Sequence, residues 1–71
     1  MDPYIFALFV GDRETYREEL LALTDGDAIA LAVDALHDLR ATHVWTLATL
    51  TDDGGRVVWQ SAQASPRAPD L

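Results

Sequence analysis

The sequence contains no cysteine and no lysine, and each absence excludes a class of protein. Without cysteine, neither disulfide bonds nor thiolate zinc sites can stabilise the chain. The basic residues are five arginines, and twelve acidic residues bring the formal net charge to −7. Nucleic-acid binding needs clustered cations that displace counterions, so we expect no direct binding of DNA or RNA. The lack of lysine beside many Ala, Asp, Val and Leu residues indicates a GC-rich, bacterial genome.

Long hydrophobic runs are also missing. The longest, Tyr4 to Val10, has seven residues, whereas a helix that crosses a bilayer needs about 20. A secretory signal places basic residues before its apolar segment, and Met1-Asp2-Pro3 supplies none. We therefore expect a cytoplasmic protein with no membrane partner.

The chain is short, which limits how much apolar surface it can bury. With 71 residues it forms one domain, and a domain of this size buries only about 60% of the surface that its unfolded chain exposes. Such small folds often depend on a metal, a disulfide or a partner subunit. We expect one domain over residues 1–63 and a flexible C-terminal tail over residues 64–71, which contain two prolines.

The first segment allows two interpretations. Asp2 and Pro3 are typical of a helix start, and Gly11 is typical of a helix end. The aromatic and β-branched residues between them are also typical of a short buried strand. The capping signals favour a helix over residues 3–10, and the strand remains the alternative.

The second segment, Asp12 to Thr24, is predicted to be a helix. Tyr16, Leu20 and Leu23 follow the spacing i, i+4, i+7, which places them in one apolar stripe of a helix. Charged residues fill the positions between them, as expected for the solvated side.

A third helix is predicted over Asp25 to Ala41. Thr24 precedes it and Asp27 follows three residues later, a pattern that resembles a capping box. So few polar residues interrupt this helix that we expect it to be covered on more than one side. Its apolar residues are Ile29, Ala32, Val33, Leu36 and Leu39, with Ala28, Leu31 and Ala35 beside them.

A β-hairpin is predicted over His43 to Gln63, because β-branched and aromatic residues flank a turn rich in Asp and Gly. A three-residue loop, Asp52-Asp53-Gly54, would place Gly54 in the left-handed conformation. Thr51 would then face Gly55. The same register pairs Thr49 with Val57, Leu47 with Trp59 and Trp45 with Ser61, so that both tryptophans share one face. A loop of two or four residues would separate them.

These elements define an α+β fold, with two or three N-terminal helices packed on a C-terminal hairpin. If the first segment is a strand, it would join the hairpin as a third strand. Two hairpins could also pair edge to edge and complete a four-stranded sheet in a dimer. The predicted partner-binding residues are Val44, Ala48, Leu50 and Val58, which are too apolar for a solvated face, with the aromatic residues Trp45 and Trp59.

No arrangement of residues indicates catalysis, so we expect no enzyme and no cofactor. Asp34, His37 and Asp38 have the spacing i, i+3, i+4, which is compatible with one divalent metal but is more typical of the solvated side of a helix. The serines do not lie in a strand-to-helix elbow, and the Gly-Gly pair precedes a strand and not a helix.

Two hypotheses for the function follow. The first is a non-enzymatic interaction module, or accessory or regulatory subunit, that forms a homodimer, because the chain is short and its hairpin is apolar on both faces. The second is an acidic decoy or antitoxin-like inhibitor that binds a basic site of a protein partner, because the net charge of −7 would attract such a site.

Overall fold

The computed structural model of the chain describes residues 1–62. The elements are β1 (Asp2–Val10), β2 (Arg13–Ala22), α1 (Asp25–Leu39), β3 (Leu47–Thr51) and β4 (Val57–Ala62). The strands form one antiparallel sheet in the order β2-β1-β3-β4, and α1 packs on one of its faces. The predicted arrangement of helices before a hairpin is therefore wrong, because two strands precede the only helix of the described residues. The predicted tail, residues 64–71, lies outside them.

The first two segments form a hairpin because Gly11 and Asp12 make a tight turn between them. Val10 pairs with Arg13 across this two-residue loop. Gly11 has a φ angle of 63°, a conformation that glycine adopts without steric cost and that matches the twist of paired strands. Gly11 thus begins a hairpin turn and does not end a helix.

In β2, the predicted helical stripe is an alternating strand pattern. Tyr16 pairs with Leu8 and Leu20 pairs with Tyr4, so both point towards α1. A spacing of four residues places two side chains together on a helix and also on a strand. Leu23 is the one residue of the predicted stripe whose spacing fits a helix and not a strand. It is exposed and lies outside β2.

Helix α1 begins as predicted. Thr24 is its N-cap, and the Thr24 hydroxyl accepts a 3.1 Å hydrogen bond from the Asp27 backbone N–H. The small side chains of Ala28 and Ala32 are fully buried, which brings the helix close to the sheet. The expectation of cover on more than one side is wrong, because Leu31 is 42% exposed and Val33 is 48% exposed.

The β3–β4 turn has the predicted kind of loop, displaced by one residue. Asp52 N–H donates to the Arg56 carbonyl over 2.9 Å, and Gly55 N–H donates to the Asp52 carbonyl over 3.0 Å. The loop is therefore Asp53-Gly54-Gly55. Gly55, with a φ angle of 87°, is its left-handed residue, and Gly54 has no positive φ angle.

A bulge in β4 overturns the rest of the predicted register. Thr51 pairs with Val57, but Leu50 pairs with Trp59, which leaves Val58 as the extra residue. A bulge shifts all later side chains to the opposite face. Trp59 therefore faces α1 together with Leu50, and Val57 faces the other side.

The core lies between α1 and this face of the sheet. Its largest fully buried side chains are Phe6, Leu8 and Leu50, which belong to the two central strands. Tyr16 extends the core with an edge-to-face contact to Phe6 at 6.3 Å between ring centroids. Within the described residues, no helix has the length and apolar character needed to cross a bilayer.

Candidate interaction surface

The second face of the sheet has no cover from any element of residues 1–62. Side chains of directly paired residues share a face, so the register defines this surface, which we call the open face. Its residues on the central strands are Pro3, Ile5, Ala7 and Phe9 of β1 and Leu47, Thr49 and Thr51 of β3. On the edge strands they are Glu14, Arg17, Glu19 and Leu21 of β2 and Val57, Gln60 and Ala62 of β4.

The charged residues of the open face all belong to one edge strand. A bulge at Thr15 places Glu14 and Arg17 on the same side, where the Arg17 Nε and Glu14 Oε2 atoms are 3.0 Å apart. The hydrogen bonds from this guanidinium lower the pKa of Glu14. The other three strands contribute no charged residue to the open face. An uncharged centre with a polar rim is typical of protein interfaces.

The centre of the open face is only partly shielded by its own side chains. Ala7, which is 4% exposed, is the one residue there that its neighbours cover completely. Ile5, Phe9, Leu47 and Thr49 keep part of their surface in solvent. Apolar residues on both faces of a central strand need cover on both sides, and α1 supplies only one side.

The residues predicted to bind a partner lie mostly on the opposite face. Ala48 and Leu50 are 0% exposed beneath α1, and Trp45 is also buried. Val58 and Trp59 are half-buried and pack against the same core. Those five side chains contribute to the chain's own core, and of them Val58 and Trp59 keep part of their surface in solvent.

Val44 differs from the other predicted residues, because it is 79% exposed. It lies in the segment between α1 and β3, on the helix side of the sheet. Asp34, His37 and Asp38 are likewise exposed, on α1. Residues 1–62 contain no group of three or more His, Cys, Asp or Glu side chains that could hold a metal ion.

Sequence reasoning missed the open face, although a signal for it exists in β1. The residues from Tyr4 to Val10 are apolar at both odd and even positions. In a strand, such a run makes both faces apolar and indicates a central position in a sheet. The helical interpretation concealed this, because it rested on the capping signals of Asp2, Pro3 and Gly11.

A network of polar side chains fixes the end of the sheet nearest the start of α1. The Tyr4 hydroxyl donates a 2.7 Å hydrogen bond to Asp25. Arg56 donates to Asp25 and Asp52, each over 3.1 Å. Hydrogen bonds from Tyr4 and Arg56 lower the pKa of Asp25, and those from Arg56 and Gly54 lower the pKa of Asp52. Because these groups satisfy one another, we assign the network a structural role.

The chain is thus a small α+β domain with an antiparallel sheet that a helix covers on one side only. No protein-family model matches it, and neither the curated proteins nor the solved structures contain a significant match.

Proposed function

We propose that this protein is a non-enzymatic interaction module that forms a homodimer by packing the open faces of two copies together. The observation that carries this proposal is the uncharged centre of the sheet, where Ile5, Phe9, Leu47 and Thr49 keep part of their surface in solvent. A second copy of the chain supplies a surface of the same size and apolar character. Self-complementary contact of this kind is the usual basis of two-fold dimers.

Pairing through sheet edges is the competing arrangement. Strand β4 is an edge strand without a charged residue, so its backbone groups offer a site for another strand. Edge pairing would, however, leave the apolar centre of both sheets in contact with water. We favour the packing of faces because it buries Ile5, Phe9 and Leu47, and because the bulge at Val58 interrupts the regular edge of β4.

The size of the open face predicts a modest affinity. Four strands spaced by about 4.8 Å are roughly 19 Å wide, and strands of five to ten residues are roughly 17 to 34 Å long. Each copy then contributes roughly 300 to 600 Å² in plan, which is below the roughly 600 to 1,000 Å² per partner of standard interfaces and reaches that range only at its upper bound. We therefore expect a dimer that dissociates on dilution into the low micromolar range.

The effect of added salt on affinity distinguishes a homodimer from a complex with a basic partner. Each copy carries a net charge of −7, so the two copies repel each other, and added salt should strengthen the dimer by screening. A complex between this chain and a basic protein should weaken under the same change. Within residues 1–62, the acidic residues occupy the start of β1, the β1–β2 turn, both faces of β2, α1 and the connection between β3 and β4, and this wide distribution argues against one acidic docking surface.

Sedimentation equilibrium tests the proposal on the full chain between about 1 and 500 µM. We expect a reversible monomer–dimer equilibrium that shifts towards the dimer between about 20 and 300 mM salt. A monomer at every concentration and salt level would contradict the proposal.

A pair of matched substitutions locates the interface. Thr49→Glu adds a charge at the centre of the open face without deleting a core side chain, so we expect a folded monomer. Leu31→Glu adds the same charge on the outer side of α1, and we expect it to dimerise like the wild type. Near-ultraviolet circular dichroism from Trp45 and Trp59 verifies the fold of each variant. Equal effects of the two substitutions would exclude the open face as the interface.

A further inference from the structure

A cavity of about 500 Å³ lies at the C-terminal end of α1. Its lining includes Val33 and His37 of α1, the C-cap residue Arg40, and His43, Val44 and Trp45 of the segment that leads to β3. We propose that this cavity binds a small organic monoanion, specifically a carboxylate attached to an aromatic or aliphatic body. No residue of the open face lines it, so this inference goes beyond the proposed function and does not depend on it.

The charge of the cavity is opposite to that of the protein. The chain has a net charge of −7, yet His37, Arg40 and His43 lie together in the lining, and none of the lining residues is an Asp or Glu. Arg17 and Arg56 form ion pairs with neighbouring carboxylates. Arg40 takes part in none of the ion pairs that residues 1–62 form, which leaves its guanidinium for a ligand.

The apolar part of the lining indicates that the ligand has an apolar body. Val44 is 79% exposed and Val33 is 48% exposed, so both keep surface that a ligand could cover. Trp45 adds an aromatic side chain. Basic residues near a helix C-terminus also stabilise the helix dipole, which accounts for His37 in the last turn of α1. The dipole does not account for the exposed apolar surface beside these residues.

His43 is held in one orientation before any ligand binds. Its ring contacts Tyr16 edge to face, with 5.3 Å between centroids, and its Nδ1 atom is 2.9 Å from the Thr42 hydroxyl oxygen. The His43 backbone N–H donates over 2.8 Å to the Leu39 carbonyl at the end of α1. A side chain fixed in this way loses little conformational entropy when a ligand binds.

The number of permanent charges limits the ligand to a monoanion. Arg40 is the only lining residue that always carries a charge, and a guanidinium matches one carboxylate through two parallel hydrogen bonds. The volume is within the range of small-ligand sites, which is about 300 to 1,000 Å³. A bicyclic aromatic carboxylate therefore suits the cavity in both size and charge.

Titration with naphthalene-2-carboxylate, followed by ¹⁵N–¹H correlation spectra of the full chain, tests this inference. We expect shifts confined to residues 33–45 and a dissociation constant on the order of 0.1 to 1 mM. The uncharged alcohol 2-naphthalenemethanol has the same apolar body, and we expect it to bind roughly tenfold more weakly because it lacks the charge-assisted hydrogen bonds.

Two arginine variants complete the test. Arg40→Gln should weaken carboxylate binding roughly tenfold and leave binding of the alcohol unchanged. Arg13→Gln removes the same charge at the β1–β2 turn, outside the cavity, and should leave both affinities unchanged. Equal binding of carboxylate and alcohol, equal effects of the two variants, or no shifts at residues 33–45 at millimolar ligand would each overturn the inference.

Discussion

The Tyr4 hydroxyl lies 2.7 Å from an Asp25 carboxylate oxygen and donates a hydrogen bond to it, which ties β1 to the first turn of α1. Arg56, which follows the β3–β4 loop, donates to the other oxygen of the same carboxylate over 3.1 Å. Three parts of the chain that are distant in sequence therefore meet at one side chain, and its ionisation contributes to their stability.

The hydrogen bond to Tyr4 makes the stability of the fold depend on pH. It is the largest cause of the lowered pKa of Asp25, which is below its ordinary value of 3.8. A lowered pKa stabilises the fold above the unfolded value, and this contribution is lost as the pH falls through the folded value. We expect Tyr4→Phe to reduce the free energy of unfolding most near neutral pH and progressively less below about pH 4.

Urea denaturation at a series of pH values measures this difference. Tyr16→Phe is the matched control, because the Tyr16 hydroxyl contacts Glu18 and not Asp25. If Tyr4→Phe lowered the free energy of unfolding by the same amount from neutral to acidic pH, the stabilising effect of the Tyr4 hydroxyl would not come from the Asp25 carboxylate.

Both tyrosines should ionise at unusually high pH. The hydrogen bond to Asp25 raises the pKa of Tyr4 from 10.0 to about 12, and the hydrogen bond to Glu18 raises the pKa of Tyr16. On the alkaline side, the contribution of Tyr4 to stability therefore persists up to pH 10 and is lost between pH 10 and about 12. Phenolate absorbance should therefore rise at a higher pH in the folded protein than in concentrated urea, and coincident titration curves would contradict these two hydrogen bonds.

Two adjacent glycines in the β3–β4 loop should respond differently to substitution. Gly55 has a φ angle of 87°, so Gly55→Ala forces alanine into the left-handed region and should cost about 1 kcal/mol. Gly54 has no positive φ angle, and an added Cβ atom would lie at an ordinary contact distance of 3.5 Å from an Asp52 oxygen. Gly54→Ala should change the free energy of unfolding by less than about 0.5 kcal/mol. A larger penalty for Gly54→Ala than for Gly55→Ala would instead support the loop Asp52-Asp53-Gly54 that the sequence predicts.

Two leucines test the position of the core. Leu50 is 0% exposed between the sheet and α1, and Leu50→Ala should lower the free energy of unfolding by about 2 to 5 kcal/mol through lost contacts and a cavity. Leu31→Ala deletes the same atoms from an exposed side of α1 and should cost about 1 kcal/mol or less. Thermal or urea unfolding at low protein concentration measures both, and similar penalties would contradict the placement of Leu50.

The sequence identified the elements whose signals are local. Helix α1 begins where Thr24 and Asp27 predict it, because an N-cap depends on only a few neighbouring residues. The predicted three-residue loop at Asp52 is displaced by only one residue, because turn signals are also local. The predicted helix at the start of the chain is wrong because Asp2 and Pro3 also suit the first residues of a strand, and because Gly11 and Asp12 form a hairpin turn.

The side chains that β2 and β4 contribute to the open face could not be predicted because they depend on two bulges. The extra residues Thr15 and Val58 decide which side chains of β2 and β4 face α1. A bulge depends on contacts across the sheet, and the local sequence carries little trace of it. Without the one at Val58, Trp59 would lie on the open face with Val57. The predicted partner surface was therefore assigned to the face that α1 covers.

The strand order also has a consequence for folding kinetics. Strands β1 and β2 form a local hairpin, as do β3 and β4, but the central pairing joins Ile5 to Thr51 across most of the described chain. Closing that long loop carries the main entropic cost, so the two hairpins can form first and the zipping of β1 onto β3 completes the fold. Backbone amides between β1 and β3 should then exchange with deuterium only through global unfolding, and those of the outer strands should exchange sooner.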